Sequence, residues 1–306
     1  MSARNRATQL AEDPSPSLGD YLLTLPQYIL PQHLASRVVY FATRLKLRPW
    51  KNWLIRWFIR RYGVDMSIAE HPSPLAYPDF NSFFTRALRN GTRSICNDED
   101  AITSPIDGTF SQVGYVKDGQ LFQAKGHTYS LGALLGGDTS LARLFSDGAF
   151  ATLYLPPKNY HRIHMPIDGQ LTKMVYVPGR LFAVNPRTTA IVNGLFARNE
   201  RVISIFDTQA GPTAVILVGA LFVGSVETTW AGRITPRWRR RITIWNSDEL
   251  PGGPIALKRG AEMGRFNMGS TVILLHTPGC VEWLRHCQPG TVVQSGQQLG
   301  SIICDR

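Results

Sequence analysis

Two hydrophobic patterns divide the chain, and the first lies near its N-terminus. Between residues 21 and 64, large apolar side chains recur at i, i+3, i+4, i+7 and i+8, the spacing of one face of a helix. These residues are Trp50, Trp53, Leu54, Trp57 and Phe58, and Lys51 and Arg60 fall outside the stripe. The pattern predicts one or two amphipathic helices with an aromatic apolar side.

The second pattern begins near residue 96, where short β-rich runs alternate with glycine and proline. The runs cover residues 151–155, 171–177, 202–206, 214–223 and 271–275. Because no regular alternation of strands and helices follows, a parallel doubly wound sheet is disfavoured. We expect an α+β fold in which an N-terminal helical region, residues 1–95, precedes a mostly antiparallel β domain, residues 96–306.

Charge changes the interpretation of the first region. The chain has 33 Lys and Arg against 22 Asp and Glu, a formal charge of +11, yet residues 21–64 hold eight basic residues and no acidic one. Tryptophan beside arginine is typical of helices that lie on an anionic bilayer. A surface helix packed on its own domain explains the periodicity equally well, but the absence of acidic residues favours a membrane surface.

Other compositional features narrow the class of protein. No uncharged apolar stretch reaches the ~20 residues of a membrane-spanning helix, and no secretory signal is visible, so we expect a peripheral protein. Four cysteines without a CxxC pair suggest neither a zinc site nor a disulfide framework. A basic cluster could contact phosphates or stack on bases, and a solvated strand or loop explains it equally well. Its members are Arg233, Arg237, Arg239, Arg240 and Arg241, with Trp230 and Trp238 between them.

Two segments carry candidate catalytic side chains. Asp107 lies in Ser-Pro-Ile-Asp-Gly, residues 104–108, and taken alone is more often a turn-forming aspartate. His161 and His164 stand three apart in Tyr-His-Arg-Ile-His-Met-Pro, and on a strand this odd separation directs them to opposite faces and separate tasks. A pair of structural histidines is the alternative. Metal ligation lacks an HExxH pattern or a third clustered ligand.

A third segment, residues 260–272, delivers Ser270 just before an apolar run. Its glycines, Gly260, Gly264 and Gly269, allow tight turns and close approach of other backbone. With Asp107 and His164, Ser270 completes an Asp/His/Ser set, in which the imidazole removes the hydroxyl proton and the carboxylate holds its tautomer. No GxSxG elbow accompanies the serine, so the common hydrolase arrangement is not indicated.

These segments resemble the phosphatidylserine decarboxylases, in particular the bacterial membrane-associated kind. The matching stretches are SPIDG at 104–108, YHRIHMP at 160–166, LFAVN at 181–185, NER at 199–201 and EMGRFNMGST at 262–271. Three positions depart from the family's usual pattern. Met268 stands where leucine is commoner, Ala183 where serine is usual, and Asn159 where an aspartate often precedes Tyr-His, which removes a charge beside the histidines.

The resemblance implies a self-processing enzyme. Ser270, activated by Asp107 and His164, would attack the carbonyl of Gly269, and elimination of the resulting ester would leave a large chain, 1–269, and a small chain, 270–306, that begins with a pyruvoyl group. This covalent cofactor would form a Schiff base with phosphatidylserine, which then loses carbon dioxide to become phosphatidylethanolamine. His161 is expected to protonate the substrate carbon or to orient its carboxylate.

The family resemblance also implies partners and location. It points to phosphatidylserine in an anionic membrane, no nucleic acid, no metal, a homodimer, and a peripheral position on the cytoplasmic face of a bacterial cell membrane. Two other functions stay open to test. A lipid-acting serine hydrolase would use Asp107, His164 and Ser270 and remain at full length. A non-enzymatic binding module for membrane or nucleic acid would be unaffected by Ser270→Ala. Neither explains why the three segments occur together.

Overall fold

The structure, a computed structural model, describes residues 16–222, 225–237, 240–250 and 253–303. Trp238, Arg239, Cys304 and the last residue of the predicted run 214–223 lie outside these ranges. Within them the α-helices are α1 (Leu18–Thr24), α2 (Gln32–Ala42), α3 (Arg48–Tyr62), α4 (Phe80–Phe84), α5 (Leu131–Leu134), α6 (Thr139–Leu144), α7 (Pro186–Thr189) and α8 (Leu195–Arg198). Short 3-10 helices cover Leu25–Tyr28, Pro74–Ala76 and Ser247–Glu249.

Residues 16–64 contain three α-helices, α1 to α3, where the periodicity predicted one or two, and the short α4 follows them. α1 begins with a capping box, in which the hydroxyl of Ser17 accepts the amide of Asp20 and the Asp20 carboxylate accepts the amide of Ser17. α3 ends at Gly63, whose left-handed conformation (φ 66°) costs a glycine little. None of the helices in the described ranges is both long and apolar enough to cross a bilayer.

The orientation of α3 corrects the predicted stripe. The side that packs on the protein is formed by Lys51, Ile55 and Phe58, whereas the three tryptophans of the stripe are exposed. Lys51 lies inside because its Nζ donates to the carbonyls of Leu75 and Tyr77, at 3.0 and 2.7 Å. Burial of a cation between two carbonyls cannot be inferred from helical periodicity, which sorts residues by polarity alone. α3 therefore packs on its own domain and also presents an aromatic row outward.

The strands follow the helices along the chain. They are β1 (Ala101–Thr103), β2 (Gly108–Tyr115), β3 (Gln120–Ala124), β4 (His127–Ser130), β5 (Ala149–Leu155), β6 (Arg162–His164), β7 (Gly169–Val177), β8 (Arg201–Thr208), β9 (Thr213–Val218), β10 (Val226–Thr228), β11 (Gly232–Arg233), β12 (Thr243–Asn246), β13 (Ala256–Leu257), β14 (Glu262–Phe266), β15 (Ser270–His276), β16 (Val281–Trp283), β17 (Val292–Val293) and β18 (Gln298–Ile302). Four of the predicted runs fall within β5, β7, β8 and β15. The run 214–223 is strand only as far as Val218.

Antiparallel pairing dominates the sheets formed by these strands. The largest has the order β12-β7-β8-β9-β15-β5-β2-β17, with β13 beside β7. A four-stranded sheet has the order β11-β10-β14-β6, a three-stranded sheet the order β1-β18-β16, and β3 pairs with β4. Each pairing between named strands in the described ranges is antiparallel. The predicted α+β fold, with N-terminal helices before a mostly antiparallel β region, is confirmed.

β15 is an inner strand of the large sheet. It pairs with β9 on one side and β5 on the other, and all seven of its residues are buried. Three residues, 267–269, connect it to β14 of the four-stranded sheet. The Gly269–Ser270 bond therefore lies where one sheet passes into the other, at the entrance to a fully covered strand.

The basic cluster near residue 237 contacts the protein itself. The guanidinium of Arg237 lies over the rings of Tyr176 and Trp245, 5.5 and 5.0 Å from their centroids. Arg233 donates to the hydroxyl of Tyr40. Apart from β11, the described residues between 232 and 242 form no helix or strand. Arg233 therefore lies in a short strand and Arg237 in a loop, and both contact aromatic side chains of the protein itself.

Candidate active site

Ser270 begins β15 and is completely buried. Its Oγ has no hydrogen-bond partner, which is uncommon for a buried hydroxyl and costs about 1–3 kcal/mol. The strand pairs Ser270 with Leu155 of β5, so the backbone at this point is held by the sheet. A methyl group placed on Gly269 would lie 3.6 Å from the Leu155 carbonyl oxygen and 3.9 Å from Nε2 of His161. The Gly269–Ser270 peptide is thus close to His161.

The residue before this peptide has an unfavourable backbone conformation. Met268 has φ 129°, a region that residues with a side chain rarely adopt. Both neighbouring segments hold it in this conformation. Ser270 is fixed in β15, and the side chain of Asn267 is hydrogen-bonded to Glu227 of β10 and to Ser225, the residue before that strand. The Asn267 amide nitrogen donates to Ser225 Oγ at 2.5 Å and to Glu227 Oε1 at 2.9 Å. Strain is therefore located one residue before Gly269.

His161 is fully buried, and its two ring nitrogens differ. Nδ1 lies 2.8 Å from the carbonyl oxygen of Asn159, and because a carbonyl only accepts, Nδ1 carries the proton. Nε2 is then an unprotonated lone pair, and it has no partner. The ring packs on that of Phe84, with 4.0 Å between centroids. Burial lowers the pKa of His161 to about 3, so the imidazole is neutral at physiological pH.

His164 is also neutral, but both of its nitrogens are engaged. Nδ1 donates to the carbonyl of Gly260 at 2.8 Å, and Nε2 accepts the hydroxyl of Tyr160 at 2.9 Å. Burial raises the pKa of the Tyr160 phenol, which keeps it protonated as the donor, and burial lowers the pKa of His164. The two histidines thus have separate environments, as the extended backbone of β6 predicts.

Asp107 is held by an arginine that the sequence does not single out. Nε of Arg93 donates to its Oδ1 at 2.9 Å, Nη2 donates to Oδ2, and the amide of Ser295 donates to Oδ1 at 2.9 Å. The hydrogen bonds to Asp107 raise the pKa of Arg93. Arg93 stands in a polar stretch with no periodicity, so no local signal distinguishes it from a solvated arginine.

Asn159 connects Asp107 with His161. Its side-chain amide donates to the backbone carbonyl of Asp107 at 2.9 Å, and its own carbonyl accepts the Nδ1 proton of His161. An aspartate here could not donate to that carbonyl and would place a second negative charge near the Asp107 carboxylate. The departure at residue 159 therefore replaces a charge by a neutral bridge.

The structure brings the predicted residues to one region without joining them in a relay. All of them lie in the described ranges, and there no hydrogen bond connects Asp107, His164 and Ser270 with one another. His161 is the predicted residue whose free nitrogen lies beside Gly269.

Two glycines of the third segment are required by packing. A side chain at Gly264 would stand 2.3 Å from the Glu227 carbonyl, and one at Gly260 would overlap Ile95.

An aromatic layer connects this region with α3. Phe84, which packs on His161, also contacts Phe58 of α3 with ring centroids 5.7 Å apart. Met268 packs against the same cluster, in which Phe58, Phe80, Phe83 and Phe84 are buried. On the outer side of α3, Trp53 and Trp57 are 57% and 45% exposed. One layer of aromatic rings therefore separates the exposed tryptophans from His161 and Met268.

Comparison with known proteins gives a consistent result. A family model described as phosphatidylserine decarboxylase matches residues 80–301, and a second, described as PSD, matches residues 22–63. Three similar relatives are each named phosphatidylserine decarboxylase proenzyme. The one from Pseudomonas fluorescens is 51% identical over 279 residues, 91% of this chain and 96% of the relative. The relative from Stutzerimonas stutzeri is 51% identical over 282 residues, which are 92% of this chain and 94% of the relative. The relative from Nitrosococcus oceani is 50% identical over 288 residues, which are 94% of this chain and 93% of the relative.

Proposed function

The chain belongs to the phosphatidylserine decarboxylase family, and from this premise we propose that it cuts itself between Gly269 and Ser270 and then decarboxylates phosphatidylserine to phosphatidylethanolamine. The proenzyme names of its relatives fit a chain made as a precursor. The products of the cut are a large chain, 1–269, and a small chain of 37 residues, 270–306. Ser270 becomes the pyruvoyl group at the start of the small chain.

One observation carries this proposal: a buried serine hydroxyl without a partner stands next to a strained residue and a glycine carbonyl. Buried hydroxyls are usually hydrogen-bonded and residues with a side chain usually avoid the φ of Met268, and here both departures occur within three residues, at the proposed cleavage point. Attack of Oγ on the Gly269 carbonyl converts the peptide to an ester and frees the backbone from the constraint at both ends. Gly269 has no side chain to hinder the attack, and the space around it accepts the change of geometry.

For self-cleavage we propose that His164 takes the proton of Ser270 and that Asp107 supports it. His164 is neutral and so can accept a proton, but its Nε2 accepts the Tyr160 hydroxyl in the folded precursor. It must exchange Tyr160 for Ser270 before it acts. Asp107, fixed by Arg93 and Ser295, supplies the negative charge that favours a protonated imidazole.

For decarboxylation we propose that His161 acts on the substrate. Its Nε2 is unpaired and lies beside Gly269, so it stays available after the cut, when the new group occupies the first position of β15. A pyruvoyl carbonyl supplies the electron sink for the bond that breaks as carbon dioxide leaves. Because Nε2 is unprotonated, His161 can take up a proton that the reacting substrate releases and return it to the substrate carbon, and the carbonyl of Asn159 fixes its tautomer.

We further propose that the N-terminal helices lie on an anionic membrane at its cytoplasmic face. Many of their large apolar side chains are exposed: Leu18, Leu22, Leu23, Leu25, Ile29, Leu34, Val38, Phe41, Leu45, Leu47, Trp50, Trp53 and Trp57. Such a surface, with arginines beside it, suits the boundary between headgroups and acyl chains. The aromatic layer behind α3 would keep the lipid's chains near the bilayer and its headgroup near His161. The expected homodimer stays a prediction.

The decisive experiment is an intact-mass spectrum of the purified protein beside its Ser270→Ala variant. We expect the wild type to split after Gly269, with a small chain lighter by one ammonia than a serine-ended peptide, and the variant to remain whole. Decarboxylation of phosphatidylserine should be absent in the variant. If both proteins stay uncut, and the wild type hydrolyses lipid while Ser270→Ala does not, the protein is a serine hydrolase and self-cleavage is refuted.

Membrane binding is tested separately by co-sedimentation with vesicles of phosphatidylserine and phosphatidylcholine. Replacement of Trp53 and Trp57 by alanine should weaken binding about tenfold or more, because each buried tryptophan ring contributes on the order of 1.5–3 kcal/mol. Tyr115→Ala, which removes an exposed aromatic side chain at the end of β2, is the matched control. Equal binding of all three proteins would rule out the tryptophan row as the lipid contact.

A further inference from the structure

Arg86 is a buried cation that the proposed function leaves unused. It follows α4, is 97% buried, and has two side-chain nitrogens, Nε and Nη1, without any hydrogen-bond partner. Its third nitrogen, Nη2, donates to the carbonyl of Lys158 at 3.2 Å. Among the described residues no carboxylate lies within ion-pair distance of it. Burying a guanidinium without an anion costs much free energy, so we expect an anion to reach Arg86.

The surroundings of Arg86 place it beside the reacting peptide. Lys158, whose carbonyl it contacts, follows Pro157, and Pro157 Cγ lies 3.6 Å from the point where a side chain of Gly269 would begin. Phe84, two residues before Arg86, packs on the ring of His161. The guanidinium and Gly269 thus lie next to adjacent residues, Lys158 and Pro157, of one short loop.

The free nitrogens of Arg86 are closed to solvent in the precursor. An anion from outside would have to open the packed cluster around Phe83 and Phe84 to reach them. An anion that is formed inside the protein could reach these nitrogens without opening the cluster. On the proposed function, self-cleavage makes one there, since the large chain acquires a new terminal carboxylate at Gly269.

We propose that Arg86 binds the Gly269 carboxylate that self-cleavage creates and thereby stabilises it as the leaving group. The inference rests on the proposed function and assigns Arg86 to its second step. When Gly269 is released from β15, the constrained backbone of Met268 can relax and turn the new chain end toward the loop that carries Lys158. Each free nitrogen of the guanidinium can donate a charge-assisted hydrogen bond to a carboxylate oxygen.

Self-cleavage breaks the peptide bond first and the Cβ–Oγ bond second. Ser270 Oγ attacks the Gly269 carbonyl carbon, the peptide C–N bond breaks, and the hydroxyl proton passes to the freed amine, which gives an ester. A base then removes the Cα proton of Ser270, the Cβ–Oγ bond breaks, and Oγ departs with the electron pair as part of the Gly269 carboxylate. Water replaces the nitrogen of the dehydroalanine, and ammonia leaves. Arg86 acts at the bond that breaks between Cβ and Oγ.

The test uses full-length wild type, Arg86→Gln and Arg86→Lys, followed by intact mass over time. Arg86→Gln should split at least about tenfold more slowly and accumulate the ester, which has the mass of the precursor. Hydroxylamine in denaturant cleaves that ester to a large chain ending in a hydroxamate and a small chain beginning with serine. Arg86→Lys, which keeps the charge, should lie between the two.

Arg201→Gln is the matched control for loss of a buried arginine. Arg201 is equally buried, but its guanidinium is fully hydrogen-bonded to backbone carbonyls and lies elsewhere. If its variant delays splitting without hydroxylamine-sensitive ester while Arg86→Gln accumulates ester, the assignment holds. Splitting of both Arg86 variants at the wild-type rate overturns it, and a raised KM for phosphatidylserine would then give Arg86 to the substrate. A wild type that never splits refutes the proposed function instead.

Discussion

The two ends of β15 look alike at first sight. At one end Ser270 stands beside His161, and at the other the strand finishes at His276. Each histidine is completely buried, each has an Nε2 without a partner, and burial lowers the pKa of each to about 3. Over the length of the strand the two ends stand roughly 20 Å apart.

The ends differ in what surrounds the free nitrogen. Nδ1 of His161 faces a carbonyl, which fixes the proton on that atom, whereas Nδ1 of His276 faces the hydroxyl of Thr213 at 3.1 Å, which can donate or accept. Near His161 there are also an unpaired serine hydroxyl, a strained backbone and an unpaired arginine. Near His276 there is a tryptophan ring, that of Trp283. A buried histidine with an unpaired Nε2 is thus not in itself a sign of catalysis, and the proposal for His161 rests on its fixed tautomer and on the other unpaired groups around it.

The largest expected effect separates the two histidines by activity. His161→Gln should lower the rate of decarboxylation by about 100-fold or more, because it removes the group proposed to transfer the substrate proton. Self-cleavage should persist in this variant. His276→Gln should leave both reactions unchanged. The measurements are carbon dioxide release and intact mass. Equal losses of decarboxylation rate in the two variants would contradict a special role for His161.

A second experiment should find the two ends equal in their effect on acid stability. Above about pH 6.5 both histidines are neutral whether folded or unfolded and contribute nothing. As pH falls from 6.5 toward 3, the two histidines bind protons in the unfolded chain but not in the folded chain. The free energy of unfolding therefore falls by about 1.4 kcal/mol per pH unit for each histidine.

Urea unfolding of the Ser270→Ala chain at pH 7 and pH 5 measures this loss on an uncut protein. Adding His161→Gln or His276→Gln should flatten the pH dependence by similar amounts. A flattening by only one of them would mean that the other histidine is charged in the folded state.

The smallest effect concerns His164. Tyr160→Phe frees its Nε2, and because a hydrogen bond of about 1 kcal/mol no longer has to be broken, self-cleavage should become about fivefold faster. The rate is read from intact mass over time. Slower cleavage would mean that the phenol takes part in the reaction and that His164 acts together with it.

Much of the fold was accessible from sequence pattern. The apolar runs that became β5, β7, β8 and β15 are short, buried and bounded by turn residues, and this local signal does not depend on the partner strand. Helical periodicity also predicted the tryptophan row of α3, but it did not show whether the row faces the protein or the solvent. The inward side of α3 was decided by Lys51 and the carbonyls of Leu75 and Tyr77, which are more than 20 residues away in sequence.

The site shows the same division. Asp107, His161, His164 and Ser270 were named from motifs, and the structure brings them to one region. Asn159 was singled out as a departure beside the histidines, but its contact with the Asp107 carbonyl, which is distant in sequence, was not predictable. Arg93 and Arg86 were not singled out, because an arginine in a polar stretch or after a short helix has the pattern of a solvated one. The triad as a hydrogen-bonded relay stays a prediction, since the precursor holds His164 on Tyr160.

The position of β15 has a consequence for the life of the mature protein. The small chain contributes β15 to the interior of the large sheet and β18 to the middle of the three-stranded one, so both ladders would join two separate polypeptides after the cut. A precursor refolds by a unimolecular reaction, but a denatured mature enzyme must first recombine two chains, at a rate that falls with dilution. After the proposed cut, each molecule would therefore have folded as a single chain only once.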